Sequence, residues 1–181
     1  MLQSCIIIRT DRDGVYRNYD NSEKVQDFAG KPMESRDFEV KKFSEIKANS
    51  AMKYFIKKAD KQKIVINSNA MCYVIVSSIN GTLNIEYDNK RGSLNNVKTE
   101  VTVYTPDFEN LSASSAGQIF INDDFQLNKL KINLDSAGKV MGNIFAEKLF
   151  VNVSSAAFLE SKVQSKIIEI DASSASKVNL S

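Results

Sequence analysis

The amino-acid sequence predicts an all-β protein, and more closely a single-stranded parallel β-helix (β-solenoid) with turns of about 19–21 residues. Two observations lead to this fold class. A short element of small residues recurs four times in the second half of the chain, and apolar residues alternate with polar ones around each copy. The composition agrees, because Val and Ile recur in short alternating runs, Asn and Ser are abundant, and only two Pro and seven Gly occur.

The repeated element is a Ser-Ala pair inside a constant apolar frame. Its four copies are "LSASSAGQIFI" (111–121), "INLDSAGKVMG" (132–142), "VNVSSAAFLES" (151–161) and "IDASSASKVNL" (170–180), whose central serines are 21, 19 and 19 residues apart. Apolar residues stand four and two positions before each serine and four positions after it, which is period-2 alternation with one buried face. We interpret the small residues as structural corners: Ser115, Ala116, Gly117, Ser136, Ala137, Gly138, Ser155, Ala156, Ser174 and Ala175.

A 19-residue unit cannot bury its apolar face alone, but stacked units can, each strand pairing in parallel with its equivalent one repeat later. Parallel β connections are right-handed by default, so we expect a right-handed coil. An antiparallel sandwich or barrel is the alternative, since strand spacings of about 8–12 residues also suit it. The repeat favours the solenoid, because the position of the Ser-Ala pair is preserved together with the strand spacing.

The chain divides into a leader, residues 1–36, and one solenoid domain, residues 37–181. Residues 9–37 are polar and irregular. The first five residues, "MLQSC", lack the charged and apolar regions of a complete signal peptide. They match the end of a bacterial lipoprotein cleavage box, which would make Cys5 the lipidated residue. The other reading is an ordinary cysteine before the apolar Ile6-Ile7-Ile8.

The composition excludes several functions. The 181 residues include no His, which removes the usual Ser-His and Cys-His pairings and the commonest zinc ligand. The net charge of +2 and the scattered basic residues argue against nucleic acid as a partner. No apolar run approaches a membrane span, so a membrane contact would need the lipid anchor.

Two other groups of residues suggest chemistry but favour turns. The Ser-Ala corners lack the Gly-x-Ser-x-Gly pattern of a nucleophile elbow and the Lys-Ser/Thr of a phosphate loop. Asp11-Arg12-Asp13-Gly14 resembles the start of a calcium loop without its later ligands, and Asp123-Asp124 has no converging acids or bases around it. We therefore predict no catalytic residue, no metal site and no cofactor.

A candidate interface comes from the outward positions of two strands. Tyr54 and Tyr73 take the inward phase and Phe55 the outward phase, where an exposed aromatic ring often marks an interface. The run "AMCYVIV" (70–76) is apolar on both phases, so Cys72, Val74 and Val76 need a cover from the leader or from a second subunit. Unpaired edge strands would also favour self-association.

Three stretches that follow one another along the chain carry a family resemblance: "FSEIKANSAMKYFIKK", "INGTLNIEY" and "TEVTVYTPDFENLSASSAG", followed by the recurring Ser-Ala elements. Over about residues 36–181 the sequence resembles the head GIN domain family of autotransporter adhesins, common in Bacteroidetes. It departs from the family pattern at Ser115-Ala116-Gly117, where Gly-Ala-Gly is usual, and at Ser155-Ala156-Ala157.

The resemblance implies a cell-envelope β-helix with a signal or lipoprotein anchor and no enzymatic activity. The first hypothesis is therefore a non-enzymatic adhesion or interaction module of the periplasm or outer-membrane surface that binds a surface glycan or a protein and associates with itself. The alternative is a carbohydrate-active β-helix enzyme, a polysaccharide lyase or hydrolase, that uses carboxylates in a groove.

Overall fold

The computed structural model describes residues 25–88, 90 and 92–181, together with the backbone of residues 7–9. Strands make up nearly all of the regular secondary structure of the described chain. Its strands are β1 Ile7–Arg9, β2 Gln26–Asp27, β3 Glu34–Phe38, β4 Glu45–Ala48, β5 Lys53–Lys58, β6 Lys63–Ser68, β7 Val74–Ile79, β8 Thr82–Tyr87, β9 Leu94–Asn95, β10 Thr99–Thr105, β11 Asn110–Ala113, β12 Gln118–Ile121, β13 Gln126–Leu134, β14 Lys139–Val153, β15 Phe158–Ala172 and β16 Lys177–Leu180. A short 3-10 turn, Met71–Tyr73, precedes β7.

Fourteen of the described strands form one sheet. Its main path runs β1-β7-β8-β4-β11-β13-β14-β12-β5-β10-β6-β3, and β15 and β16 branch from β14. The strands β2 and β9 form a separate small pair. The two 15-residue strands β14 and β15 tie the sheet together, because β14 pairs with β12 through its first residues and with β13 through its last.

The Ser-Ala repeat corresponds to the parallel part of this sheet. Equivalent positions of successive copies are direct partners: Leu111 faces Ile132, Ile132 faces Val151, and Val151 faces Ile170. The second parallel ladder also pairs equivalent positions: Ile119 faces Val140, Val140 faces Leu159, and Leu159 faces Val178 on β16. The spacing of the repeat therefore sets the register between neighbouring strands.

The first half of the chain combines parallel pairs, such as β4 with β8 and β5 with β10, with antiparallel ones. Strands β7 and β8 form an antiparallel hairpin, and β6 lies antiparallel to both β3 and β10. Asn80 and Gly81 connect β7 to β8 with φ angles of 52° and 77°, which is the backbone of a two-residue type I′ turn. Such a turn reverses the chain at once, whereas a parallel connection needs a longer crossover.

The expected single-stranded parallel β-helix is therefore wrong, and so is the right-handed coil expected with it. The protein is all-β, but its sheet has mixed strand order and a nearly closed, barrel-like arrangement. The repeat reports how neighbouring strands align over 110–180, in a register that continues to β4 and β5. It carries no information on the non-repeating strands, and their antiparallel pairs make the sheet mixed.

The core lies inside the curved sheet and consists of alternate residues from its strands. Ile46, Tyr54, Leu111, Ile132 and Leu149 are among its fully buried members. Phe108 and Phe125 pack edge to face with ring centres 4.9 Å apart. Towards the free edge of β15 this cover ends: Ile168 and Ile170 continue the inward rows and are still 44% and 45% exposed.

Candidate functional site

The Ser-Ala corners are tight turns with both central residues in the left-handed region. Ser136 and Ala137 have φ angles of 46° and 61°, and the pairs at 115–116, 155–156 and 174–175 have similar values. In each turn the residue after the alanine donates its backbone N–H three residues back, as Gly138 does to Asp135 O at 2.7 Å. This is the geometry of a type I′ turn, here built from Ser-Ala.

Hydrogen bonds also join each corner to the next. The N–H of Ala116 donates to Ser136 O at 3.0 Å, that of Ala137 to Ser155 O at 3.1 Å, and that of Ala156 to the next copy in the same way. A Cβ on Gly138 would lie 2.0 Å from Ala113 O, so the corners approach one another closely. Backbone groups of these turns are engaged with one another, so main-chain hydrogen bonds build the corners.

The acidic candidates do not converge. Asp123 accepts a hydrogen bond from the Lys58 backbone N–H at 2.8 Å, and Asp124 accepts one from the Asn143 side chain at 3.2 Å. The calcium-loop candidate, Asp11 to Gly14, lies outside the described residues. Within the described part of the chain no group of three or more His, Cys, Asp or Glu side chains could hold a metal ion.

The apolar run at 70–76 lies mostly inside the protein. Val74 and Val76 belong to the core and are 5% and 1% exposed, and Ile75 on the other phase is 5% exposed. Cys72 is half-buried and Tyr73 packs edge to face on Phe28. The two valines therefore offer no outer surface to a partner. Cys5, the lipidation candidate, lies outside the described residues and remains a prediction.

Phe55 lies on an outer face of the sheet next to a second phenylalanine. It is the direct neighbour of Phe120 on β12, and the two half-buried rings stack with centres 5.2 Å apart and planes 16° apart. Met141 on β14 continues this outward row. The row is an apolar ridge on a rigid sheet, which suits a binding surface better than a mobile loop would.

A second outward row, one pleat away, carries lysines. Across β5, β12, β14, β15 and β16 the partners are, in order, Lys53, Gln118, Lys139, Phe158 and Lys177. The ammonium groups of Lys139 and Lys177 lie 5.0 and 5.6 Å from the centre of the Phe158 ring, one from each neighbouring strand. Cation–π contact holds both lysines in place. We call these two rows together the lysine–phenylalanine face.

No lysine of the row forms an ion pair among the residues that the structure describes. The ion pairs there are Arg36–Glu34, Lys47–Glu45, Lys63–Asp37 and Lys166–Glu147. Glu100 on β10 is the strand partner of Lys53, and Glu160 follows Met141 in the apolar row, but neither pairs with a lysine of the row. The positive charge of Lys53, Lys139 and Lys177 is thus not neutralised within the face.

The other parallel ladder has a different outer surface, which we call the mixed-charge face. Lys129, Lys131 and Lys148 cluster around Phe150, and Lys129 stands 5.3 Å from the centre of that ring. A shallow groove of about 430 Å³ there is bordered by Glu169 and Asp171 as well as by lysines. Both basic side chains, on β13 and β14, and acidic side chains, on β15, therefore lie on this face.

Two phenols in the described core have shifted pKa values. Burial raises the pKa of the Tyr54 phenol above its usual value, with Tyr87 nearby adding to the effect. The Tyr54 hydroxyl has no hydrogen-bond partner, although the Ile85 backbone lies near it. Burial likewise raises the pKa of Tyr87, so both phenols are neutral at physiological pH. A neutral, enclosed phenol in a packed core has no access to a substrate.

Sequence reasoning identified Phe55 but missed the lysine row beside it. The signal was present in the repeat itself. The residue three positions after each corner serine is Gln118, Lys139, Phe158 or Lys177, and Lys53 stands three after Ser50 in the same register. Aligning the polar positions of the repeat, as well as its apolar ones, would have found this row.

One protein-family model covers most of the chain. The family model described as "Putative auto-transporter adhesin, head GIN domain" matches residues 42–181. No curated protein matches the chain significantly. No helix among the described residues has the length and apolar character needed to cross a membrane.

Solved structures share the fold at low sequence identity. A "putative adhesin" from Parabacteroides distasonis aligns with a TM-score of 0.77 and 17% identity over 87% of this chain and 68% of that one. A "Putative lipid binding protein" from the same species aligns with a TM-score of 0.74 and 18% identity, over 87% of this chain and 69% of that one. A "putative adhesin" from Bacteroides fragilis aligns with a TM-score of 0.55 and 16% identity, over 84% of this chain and 98% of that one. At such identities the likeness establishes the all-β fold and nothing further.

Proposed function

This chain belongs to the family described as "Putative auto-transporter adhesin, head GIN domain". We propose that it is a non-enzymatic binding module of the bacterial cell envelope whose contact surface is the lysine–phenylalanine face. The observation that carries the proposal is the Phe55–Phe120 stack on a continuous outer sheet surface. Aromatic residues on a sheet surface provide contact area at small entropic cost, which favours binding.

The non-enzymatic part of the proposal is supported because the acidic candidates of the described chain do not converge on one point. Hydrolysis or elimination of a polysaccharide needs at least two acid or base groups around one bond. In the described ranges, the acidic candidates Asp123 and Asp124 are each engaged by a different neighbour on the surface. The carboxylates Glu169 and Asp171 border an open groove on the mixed-charge face without an enclosed reaction site.

The proposal is tested by measuring binding and turnover on the same ligands. Purified protein is applied to a glycan array and to envelope proteins on a membrane, and the bound glycans are then assayed for release of reducing ends. We expect binding without turnover. Release of reducing ends from any bound glycan would refute the non-enzymatic assignment.

Paired variants locate the surface. Phe55→Thr with Phe120→Thr removes the ridge but keeps residues that favour strands. Phe150→Thr removes a comparable half-buried ring from the mixed-charge face and is the control. Loss of binding in the first variant alone is expected. Equal loss in both, or in neither, would place the contact surface elsewhere.

We further propose self-association through the free edge of β15. Beyond Val163 this edge has no strand partner among the described residues, and Ile168 and Ile170 stand exposed beside it. Ile168→Lys with Ile170→Lys should shift the sedimentation coefficient at high concentration towards the monomer. A monomeric wild-type protein over the whole concentration range would contradict the proposal.

A further inference from the structure

The lysine row points to the chemical class of the ligand. We propose that the lysine–phenylalanine face binds a linear acidic polysaccharide, with Lys53, Lys139 and Lys177 contacting regularly spaced carboxylates or sulfates of one glycan chain. This inference rests on the proposed function and sharpens it, because it assigns the ligand by charge at the same face.

The arrangement of the three lysines is the first argument. They stand at one level on β5, β14 and β16, and each is separated from the next by one intervening strand. Neighbouring strands lie about 4.8 Å apart, so the lysines recur at about 10 Å along a line across the sheet. A regular row of single positive charges matches a regular polyanion, whereas a compact anion would contact only one of them.

Charge state is the second argument. None of the three lysines forms an ion pair with any residue that the structure describes, whereas Lys47, Lys63 and Lys166 elsewhere on the surface each do. An ammonium group without an ion-pair partner has no ion pair to break when it contacts an external anion. The neighbouring Glu100 and Glu160 lower the local potential without neutralising a lysine directly.

Ordering of the side chains is the third argument. Lys139 and Lys177 approach the two sides of Phe158, so part of the entropic cost of fixing these long side chains is met before a ligand arrives. The adjacent Phe55–Phe120 ridge adds apolar contact area for the carbon faces of the sugar rings. The cations of the row are lysines, which contact carboxylates and sulfates as point charges.

The experiment compares two polymers that share a backbone. Polygalacturonate and its fully methyl-esterified form differ in the charge of the carboxyl group. Binding of the full chain to each polymer is measured by isothermal titration calorimetry at low and at physiological salt. We expect binding of polygalacturonate that weakens with salt, and no measurable binding of the ester.

Two triple variants with equal loss of charge make the test specific. Lys53→Gln, Lys139→Gln and Lys177→Gln remove the row. Lys129→Gln, Lys131→Gln and Lys148→Gln remove three lysines from the mixed-charge face, including one beside Phe150. The first triple should weaken binding about tenfold or more, as expected for three exposed charge contacts, and the second should leave it nearly unchanged. Circular dichroism and thermal unfolding establish that both triples are folded.

The outcomes separate this inference from the proposed function. Equal weakening by the two triples would overturn the inference, because net charge alone would then explain binding. Equal affinity for the methyl ester, or binding of a neutral array glycan that depends on Phe55 and Phe120, would overturn the acidic class and leave the binding module standing. Tighter binding of double-stranded DNA than of polygalacturonate would overturn the polysaccharide assignment. Failure to bind any array ligand or envelope protein would overturn both.

Discussion

The boundary of the core can be tested with two neighbouring inward positions. Leu149 on β14 and Ile168 on β15 are direct partners in one parallel ladder, and both side chains take the inward phase. Leu149 is 0% exposed because Leu130 and Ile168 flank it on both sides, whereas Ile168 is 44% exposed. The same truncation to Ala should therefore have very different effects on the free energy of unfolding.

The magnitudes follow from burial. Leu149→Ala removes about three buried carbon groups, roughly 2.4 kcal/mol of transfer free energy, and leaves a cavity, so the expected loss is about 3–4 kcal/mol. Ile168→Ala removes a half-exposed side chain and encloses no cavity, so the expected loss is about 1 kcal/mol, with a few tenths more from lower β-propensity. In thermal unfolding, the first variant should lower Tm by roughly 10 °C.

Urea unfolding of both variants at low protein concentration measures the difference. The m-value should be unchanged, so that the shift in midpoint reports stability. Equal losses for the two variants would refute the reasoning, because they would show that Ile168 is covered as fully as Leu149. Repeating the measurement at high concentration adds a check, since self-association at this edge should make the Ile168→Ala loss larger there.

Three further variants test the core and the corners. Tyr54→Phe should leave stability unchanged or raise it by about 1 kcal/mol in urea unfolding, because it removes a fully buried hydroxyl without a partner. Burial raises the pKa of Tyr54, so the unfolded chain ionises first; wild-type stability should fall as pH rises above about 10, and less steeply in this variant. Gly138→Ala should cost about 1–3 kcal/mol, because its Cβ would lie 2.0 Å from Ala113 O. Ser136→Asn with Ala137→Gly should raise the free energy of unfolding by about 1 kcal/mol and raise Tm accordingly, since both residues hold left-handed φ angles that Asn and Gly adopt more easily.

Each of these expectations has an opposing result. A loss of more than 1 kcal/mol in Tyr54→Phe would mean that the hydroxyl has a hydrogen-bond partner in solution. An unchanged midpoint in Gly138→Ala would mean that the corner relaxes to admit a methyl group, as the equivalent corner with Ala157 does. A lower Tm for the Asn-Gly turn would show that the Ser-Ala backbone is not strained.

The repeat predicted local structure correctly where one face of a strand is buried. Leu111, Ile132 and Val151 all point inward and are at most 1% exposed, as period-2 alternation requires. The same phase failed at Ile170, which is 45% exposed, because burial depends on a neighbouring strand that the alternation does not report. The fold class failed for a related reason: register between repeats does not specify how the remaining strands close the sheet.

The error at 70–76 has a local cause. The 3-10 turn at Met71–Tyr73 interrupts the two-residue period just before β7 begins. The prediction assumed that Tyr73 points inward as Tyr54 does, which places Val74 and Val76 on the outer side. In the structure both valines lie in the core and Tyr73 is only half-buried. Because this run is apolar on both phases, nothing in its composition reveals the interruption.

The corners explain why a structural repeat can also carry a binding surface. Each corner fixes two left-handed residues and closes with one backbone hydrogen bond, so the strand that follows always starts at the same pleat. The third residue after the corner serine is then outward in every copy, whatever its side chain. Packing constrains the inward residues and close contact constrains the corner, but this outward position is free of both. Lysine and phenylalanine at that position are thus the part of the repeat that folding does not require, and it is there that selection for a ligand can act.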